Sequence, residues 1–255
     1  MTGMAALKAG AGLVTVASAD SAIDTIAAHA PELMTVPLPE TEAGSISEQS
    51  FDQGFLTSIA EKKTVVALGP GLGTHPDTVQ FVRRAVEELR LPMVIDADGL
   101  NSLDVKAMGT HSPRVLTPHP GEMSRLIGRT IAEIQADRVG IARAFAMERG
   151  VCLVLKGHRT VVAFADGRAF VNPTSTPALA TGGTGDVLTG LIAGLIAQFP
   201  DQLEKAVLAS VYLHGRAGQL GAADIGERAF VATDILRYLP DAMREAGAGC
   251  NPNFV

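Results

Sequence analysis

Cysteine is nearly missing from the sequence: 255 residues hold two, Cys152 inside an apolar run and Cys250 near the C-terminus. Two cysteines so far apart give neither a disulfide framework nor a pair at metal-ligand spacing, which excludes a stapled secreted fold and points to a reducing compartment. Concentrated positive charge is missing too. Lys and Arg number 21 against 27 Asp and Glu, a net charge of −6, and they are scattered, so the sequence shows no basic face for nucleic acid. Although 47% of residues are hydrophobic and the mean hydropathy is +0.23, every apolar run breaks at Gly or a charge before the roughly 18 residues that a membrane span needs. The start has no basic segment followed by an apolar one and a small-residue cleavage site, so a cytoplasmic protein without membrane or nucleic-acid partners is expected, working on small molecules. There is no internal repeat, no Ser-His-Asp ordering, no zinc spacing and no pair of catalytic carboxylates, which leaves hydrolase chemistry without an anchor.

What is there is an alternation of short β-rich runs with helical segments, the pattern of crossover units and a largely parallel sheet covered on both faces. Strands are predicted at Leu13 to Ala17, Thr64 to Leu68, Met93 to Asp96, Arg114 to Thr117, Val151 to Lys156, Thr160 to Phe164 and Arg168 to Val171. The last three sit close together around an Asp166-Gly167 turn and predict an antiparallel edge, making the sheet mixed. One helix is expected from Asp77 to Arg90, stopped by Pro92, and another from a Thr130/Glu133 capping box to Gly150. Pro37 to Gly54, rich in Pro, Glu, Ser and Thr, reads as an exposed loop. Met1 to Ala9 reads as a helix ahead of the first strand; because crossover folds usually open on a strand, an N-terminal strand is expected to be missing. The expectation is one α/β domain over 1–255.

The segment with the strongest chemistry is T-G-G-T-G-D-V-L-T-G-L-I-A-G-L, Thr181 to Leu195, in which a glycine turn feeds an apolar helix. Backbone N–H groups exposed at a helix N-terminus, with the peptide dipoles aligned behind them, favour phosphate. Three glycines in four positions exceed what a cap requires. Asp186 falls in the first helical turn, where it either caps or faces the ligand, and Thr184 adds a hydroxyl. Gly190 and Gly194, one turn apart, predict close approach of another element.

Five further segments follow predicted strands, and the ends of strands are where open α/β sheets bind ligands. G-P-G-L-G at 69–73 is a tight turn or a binding loop. D-A-D-G-L-N at 96–101 puts Asp96, Asp98 and Asn101 together, either to orient Mg²⁺ through water or a polar substrate, or as an Asp98 helix cap and an Asn101 turn. His119 sits between two prolines in L-T-P-H-P-G-E, a rigid loop that favours ligand contact. Lys156, in L-K-G-H-R-T-V, is a phosphate counter-charge or a solvated turn residue. Asn172-Pro173-Thr174 leads into the glycine turn and is expected to shape a nucleotide wall.

Together these segments, with G-A-G-L-V-T-V at 10–16 and A-P-E-L-M at 30–34, resemble the ribokinase-like superfamily. More closely they are similar to the ADP- or ATP-dependent NAD(P)H-hydrate dehydratases, the carboxy-terminal domain of bifunctional nicotinamide-nucleotide repair proteins. The resemblance implies a ribokinase-like three-layer sandwich and a hydro-lyase that phosphorylates the hydroxyl of hydrated NADH or NADPH and eliminates phosphate. It implies Asp186 as the base; Gly73, Asn101, His119 and Asp186 as hydrate contacts; and Lys156, Gly157, His158, Arg159, Thr160, Gly183, Thr184 and Gly185 as nucleotide contacts. ADP or ATP as co-substrate, Mg²⁺ as cofactor and a homo-oligomer, foremost a tetramer, are implied with it. Family members carry a strand and glycine-rich loop ahead of the segment matching Met4 to Leu7, and the amino-terminal epimerase partner is not in this sequence. The alternatives are a ribokinase-like kinase of a thiazole or pyrimidine alcohol, favoured less by the His119 loop, and a nucleotide-binding protein without turnover.

Overall fold

A computed structural model describes residues 1–106, 108 and 111–248; Cys250 lies outside the described residues. In chain order the elements are α1 (Thr2–Lys8), β1 (Thr15–Ala19), α2 (Ile23–His29), β2 (Met34–Leu38), α3 (Phe55–Ala60), β3 (Val66–Leu68) and α4 (Pro76–Glu88). They continue as β4 (Met93–Ile95), α5 (Asp98–Ser102), β5 (Arg114–Leu116), α6 (Pro120–Ile127), α7 (Ile131–Ala136) and α8 (Arg138–Arg149). The last are β6 (Cys152–Leu155), β7 (Val161–Ala163), β8 (Ala169–Val171), α9 (Thr184–Gln198), α10 (Leu203–Ile225) and α11 (Ala232–Ala248). They fall into two compact units: residues 12–157 with 161–170, here the sheet unit, and residues 1–11, 158–160 and 171 onward, here the helical unit.

In the sheet unit, six strands run in the order β3-β4-β5-β6-β7-β8. The first four are parallel, in the register Val66–Met93–Arg114, and β7 pairs with β6 antiparallel. The expected mixed sheet with an antiparallel edge is what forms. Its strands are short apolar runs because both faces are buried: Met93, Ile95, Leu116, Leu153 and Leu155 belong to one core with Phe81, Val82, Ile141 and Phe145, while Val94, Val115, Val154 and Val162 of the opposite face are also buried. Arg114 starts β5 at 3% exposure, and its guanidinium donates to Val86 O (2.9 Å), Leu89 O (3.1 Å) and Leu91 O (2.9 Å), closing the end of α4. Burial pushes its pKa down, with Arg90 adding to the effect.

Three expectations change. The first strand does not join the six-stranded sheet; it pairs in parallel with β2 in a sheet of two strands. β2 occupies Met34–Leu38 and a 3-10 helix occupies Glu48–Gly54, so the exposed loop expected at 37–54 is largely structured, with Ile46, Ser47, Ser50 and Phe51 buried. The helix expected from Thr130 to Gly150 is two helices. The Thr130/Glu133 capping box forms, yet Asp137 breaks the run and caps α8 by accepting from Gly140 N–H at 2.8 Å.

The helical unit holds α1, α9, α10 and α11. α9 is buried on nearly every side, from Val187 to Ile196, as its unbroken apolar sequence requires. Gly190 and Gly194 admit α1: a Cβ at Gly190 would stand 2.0 Å from Thr2 O, and one at Gly194 2.6 Å from Ala6 O. The expected close approach is made by the N-terminal helix, whose contact residues Ala5, Ala6 and Ala9 are small.

Candidate active site

The sheet unit gathers its polar residues at the C-terminal ends of β3, β4, β5 and β6. Gly69, after β3, has φ +130, and a Cβ there would fall 1.8 Å from Asp96 O, so the 69–73 turn and the 96–101 loop lie backbone to backbone. Between them Ala97 holds φ +49, a conformation unfavourable for any residue with a side chain and characteristic of functional loops. Gly73 N–H donates to the Asp98 carboxylate at 2.9 Å. Asp98 is therefore not the helix cap; Ala97 takes that position, and Asp98 anchors the glycine turn instead. Asn101 accepts from Arg125 Nε at 3.0 Å and reaches the other Asp98 oxygen at 3.4 Å.

Lys156 is not a solvated turn residue. Its Nζ lies 2.5 Å from Asp96 Oδ1, a residue 1% exposed, and 3.7 Å from Glu122 Oε2, so one ammonium stands between two buried carboxylates. Its backbone is held as well: Lys156 N–H donates to Pro118 O at 2.8 Å, and Arg138 Nη2 donates to Leu155 O (2.9 Å) and Lys156 O (3.2 Å). Burial lowers the Arg138 pKa. His119 is the N-cap of α6: its Nδ1 accepts from Gly121 N–H (3.0 Å) and Glu122 N–H (3.3 Å), while Glu122 Oε2 accepts from His119 N–H (2.8 Å). Because Nδ1 accepts, the neutral ring carries its proton on Nε2, on a half-exposed side chain. The ends of four adjacent strands thus carry Gly73, Asp96, Asp98, Asn101, His119, Glu122 and Lys156; Gly157 follows with φ +136 against the Arg138 guanidinium.

In the helical unit, Gly183 is the N-cap of α9 in the left-handed region, φ +87. The helical bonding starts with Val187 N–H to Gly183 O at 3.1 Å, so the N–H groups of residues 184–186 precede the ladder, as in any helix N-terminus. Asp186 lies in that first turn, half-buried. Thr184 departs from expectation: its hydroxyl is turned back into the loop, 2.8 Å from Leu179 O and 2.9 Å from Thr181 O, so what it can offer an anion is main chain. His158 meets Ser175 through Nδ1 and Oγ at 2.9 Å, Arg159 has φ +53, and Thr160 O accepts from Asn172 N–H at 2.9 Å. Asn172 and Thr174 are buried and bound to α10, Asn172 Nδ2 donating to Val211 O (3.1 Å) and Thr174 Oγ1 to Tyr212 O (2.9 Å), which makes N-P-T an anchor for the segment entering the glycine turn. Among the described residues, no group of three or more His, Cys, Asp and Glu is placed to hold a metal.

Sequence reasoning missed the supports: Glu122 as partner of both Lys156 and His119, Arg138, Arg114, and His214 on α10, whose Nε2 stands 2.9 Å from Thr184 O. Only Glu122 had a signal, three residues after His119 at a helix start.

Residues 1–241 match the Carb_kinase family, NAD(P)H-hydrate dehydratase. The chain belongs to this family. It is 48% identical over 245 residues to a bifunctional NAD(P)H-hydrate repair enzyme of Moorella thermoacetica, covering 94% of this chain and 45% of that protein. It therefore spans about half the length of such curated relatives. An ADP-dependent (S)-NAD(P)H-hydrate dehydratase of Bacillus subtilis is 32% identical, with 94% of this chain and 82% of that protein covered. The crystal structure of the ADP/ATP-dependent dehydratase from B. subtilis, co-crystallised with ATP and Mg²⁺ and soaked with CoA, superimposes with a TM-score of 0.80 at 30% identity, covering 96% of this chain and 85% of that one. A ribokinase-like protein from Enterococcus faecalis gives 0.78 at 29% identity, covering 96% and 81%. The dehydratase family's fold is thus ribokinase-like, and within the sheet unit the parallel strands and their antiparallel edge are the expected ones. No described helix is long and apolar enough to cross a membrane.

Proposed function

We propose that this chain is an ADP-dependent dehydratase, with ATP as a second donor, that returns hydrated NADH or NADPH to NADH or NADPH. The observation that carries the reading is the start of α9: a left-handed glycine N-cap, first-turn N–H groups that precede the helical ladder and Asp186 in the same turn, in a chain of this family. Hydroxide leaves poorly from C6 of the hydrated ring, and phosphorylation makes it a good leaving group. Asp186 takes the proton as the hydroxyl oxygen attacks the terminal phosphorus of ADP, and AMP departs. The N–H groups from Gly183 to Gly185 stabilise charge on the phosphoryl in transit. The C–O bond then breaks, phosphate carries off the oxygen, and loss of the adjacent ring proton restores the dihydropyridine.

Motif positions give the hydrate to Gly73, Asn101, His119 and Asp186, and the adenylate moiety to Lys156, Gly157, His158, Arg159, Thr160, Gly183, Thr184 and Gly185. For His119 the support is an Nε2–H donor on a capped, rigid loop; for Lys156 it is a charge fixed in place by Asp96 and Glu122. Asp96 and Asp98 are engaged by Lys156 and by Gly73 N–H, so the residues fit Mg²⁺ carried on nucleotide phosphates and water rather than a protein cage. Such an ion, when bound, neutralises charge on the transferred group. We further propose residues 1–255 as a single ribokinase-like dehydratase domain, cytoplasmic and homo-oligomeric, a tetramer foremost.

The test is incubation of hydrated NADH with ADP or ATP and Mg²⁺, following absorbance at 340 nm and AMP or ADP release. Asp186→Asn should abolish the recovery, at least about a thousandfold, while ADP still binds. Full activity in that variant removes Asp186 from the mechanism; accumulation of a stable phosphorylated alcohol with no NADH would make the chain a kinase.

A further inference from the structure

We propose that His214 is a positioning residue for the phosphoryl-binding turn, acting through the Thr184–Gly185 peptide to set the aim and donor strength of the Gly185 N–H. The proposal rests on the reading of that turn given above. His214 lies in an apolar stretch of α10 with Val211, Leu213 and Ala217, and is buried at 9% exposure. Its Nε2 stands 2.9 Å from Thr184 O. A carbonyl can only accept, so Nε2 carries the proton and the imidazole is the donor.

A peptide group is planar, so a donor that fixes the Thr184 carbonyl also fixes the Gly185 N–H on the same plane. In a helix the carbonyl points along the axis toward the C-terminus and the N–H toward the N-terminus. A bond made on the carbonyl side therefore steadies an N–H that faces the incoming phosphate. It also polarises the amide, because hydrogen bonds in series strengthen one another. This peptide opens α9, and its carbonyl takes a hold from outside the helix in addition to the helical ladder. Gly182, Gly183 and Gly185 surround Thr184, and glycine backbone is the least restrained by its own side chain. The Thr184 hydroxyl supplies one hold, on Leu179 O and Thr181 O, and His214 supplies the other from a separate helix of the same unit. A histidine buried in an apolar helix face is costly unless bonded, and here the bond is spent on the first residue of α9.

The test compares His214→Leu with His214→Gln, whose amide N–H reaches about as far as Nε2. In ADP-driven dehydration of hydrated NADH, His214→Leu should lower kcat about tenfold with KM changed less than about twofold, because the N–H counts most in the transition state. His214→Gln should return kcat to within about threefold of the wild type. An unchanged kcat in His214→Leu overturns the proposal, as does a loss that His214→Gln does not recover. If His214→Leu does not fold, His214→Asn, whose shorter amide falls short of Thr184 O, takes its place. Should the wild-type protein restore no NADH, the dehydratase reading fails by itself and this inference is decided by NMR. The Gly185 amide proton should then resonate downfield in wild type and His214→Gln and move upfield in His214→Leu; one position in all three overturns it.

Discussion

Lys156 shows how a residue's neighbours decide its meaning. Read in sequence, it is a lysine at the end of a strand and the start of a turn, a phosphate partner ahead of a solvated side chain. Folded, it bridges Asp96 and Glu122, 60 and 34 positions away, with Asp96 almost fully buried. Removing the ammonium leaves a buried carboxylate without its cation, a change worth about 3–5 kcal/mol. Lys156→Met should therefore lower stability by about 3 kcal/mol, seen as an earlier urea midpoint, and Lys156→Met with Asp96→Asn should recover much of the loss. If Lys156→Met is as stable as wild type, the pair has no structural role. Nothing near Lys156 in sequence announces these partners, and the same holds for Arg114 and Arg138: long-range supports are set by the packing of distant elements, which no local pattern encodes. The turns and caps that hold Gly73, His119 and Asp186 were legible, because the chemistry of each is contiguous in sequence.

Among elements, those whose stability is local were the easiest to foresee. The capping box at Thr130 and Glu133, the helix expected from Asp77 to Arg90 and the apolar β runs all appear where periodicity and cap chemistry put them, within one or two residues. Elements shaped by tertiary context were not. β2 contains Pro37 and lies in an edge-only pair with β1, where a missing N–H is tolerated, so its sequence resembles a loop. Asp137 interrupts what the hydrophobic spacing joins, because its side chain caps the next helix. The Gly190/Gly194 stripe on α9 was legible as a contact, though not its partner. With Thr2 O where a Cβ would sit, Gly190→Ala must push α1 away and should cost about 2 kcal/mol or more, measured by chemical denaturation. A variant as stable as wild type would mean that α1 is not seated against α9.

At the scale of the whole molecule, the order of runs and helices sufficed for a mostly parallel sheet with an antiparallel edge, and the motifs sufficed for the family. The grouping of residues 158–160 with the helical unit, while 161–170 belong to the sheet unit, could not be read from composition or periodicity, since no linker marks the change. In the proposed reaction phosphate is placed on the hydrate's oxygen and leaves with it. It can be followed by one atom. NADH hydrated in ¹⁸O-labelled water carries the label in its hydroxyl, and the protein is then supplied with ADP and Mg²⁺ in ordinary water. Mass spectrometry of the released inorganic phosphate should find one ¹⁸O per NADH restored; label found only in water, with phosphate unlabelled, would contradict phosphorylation of the hydroxyl.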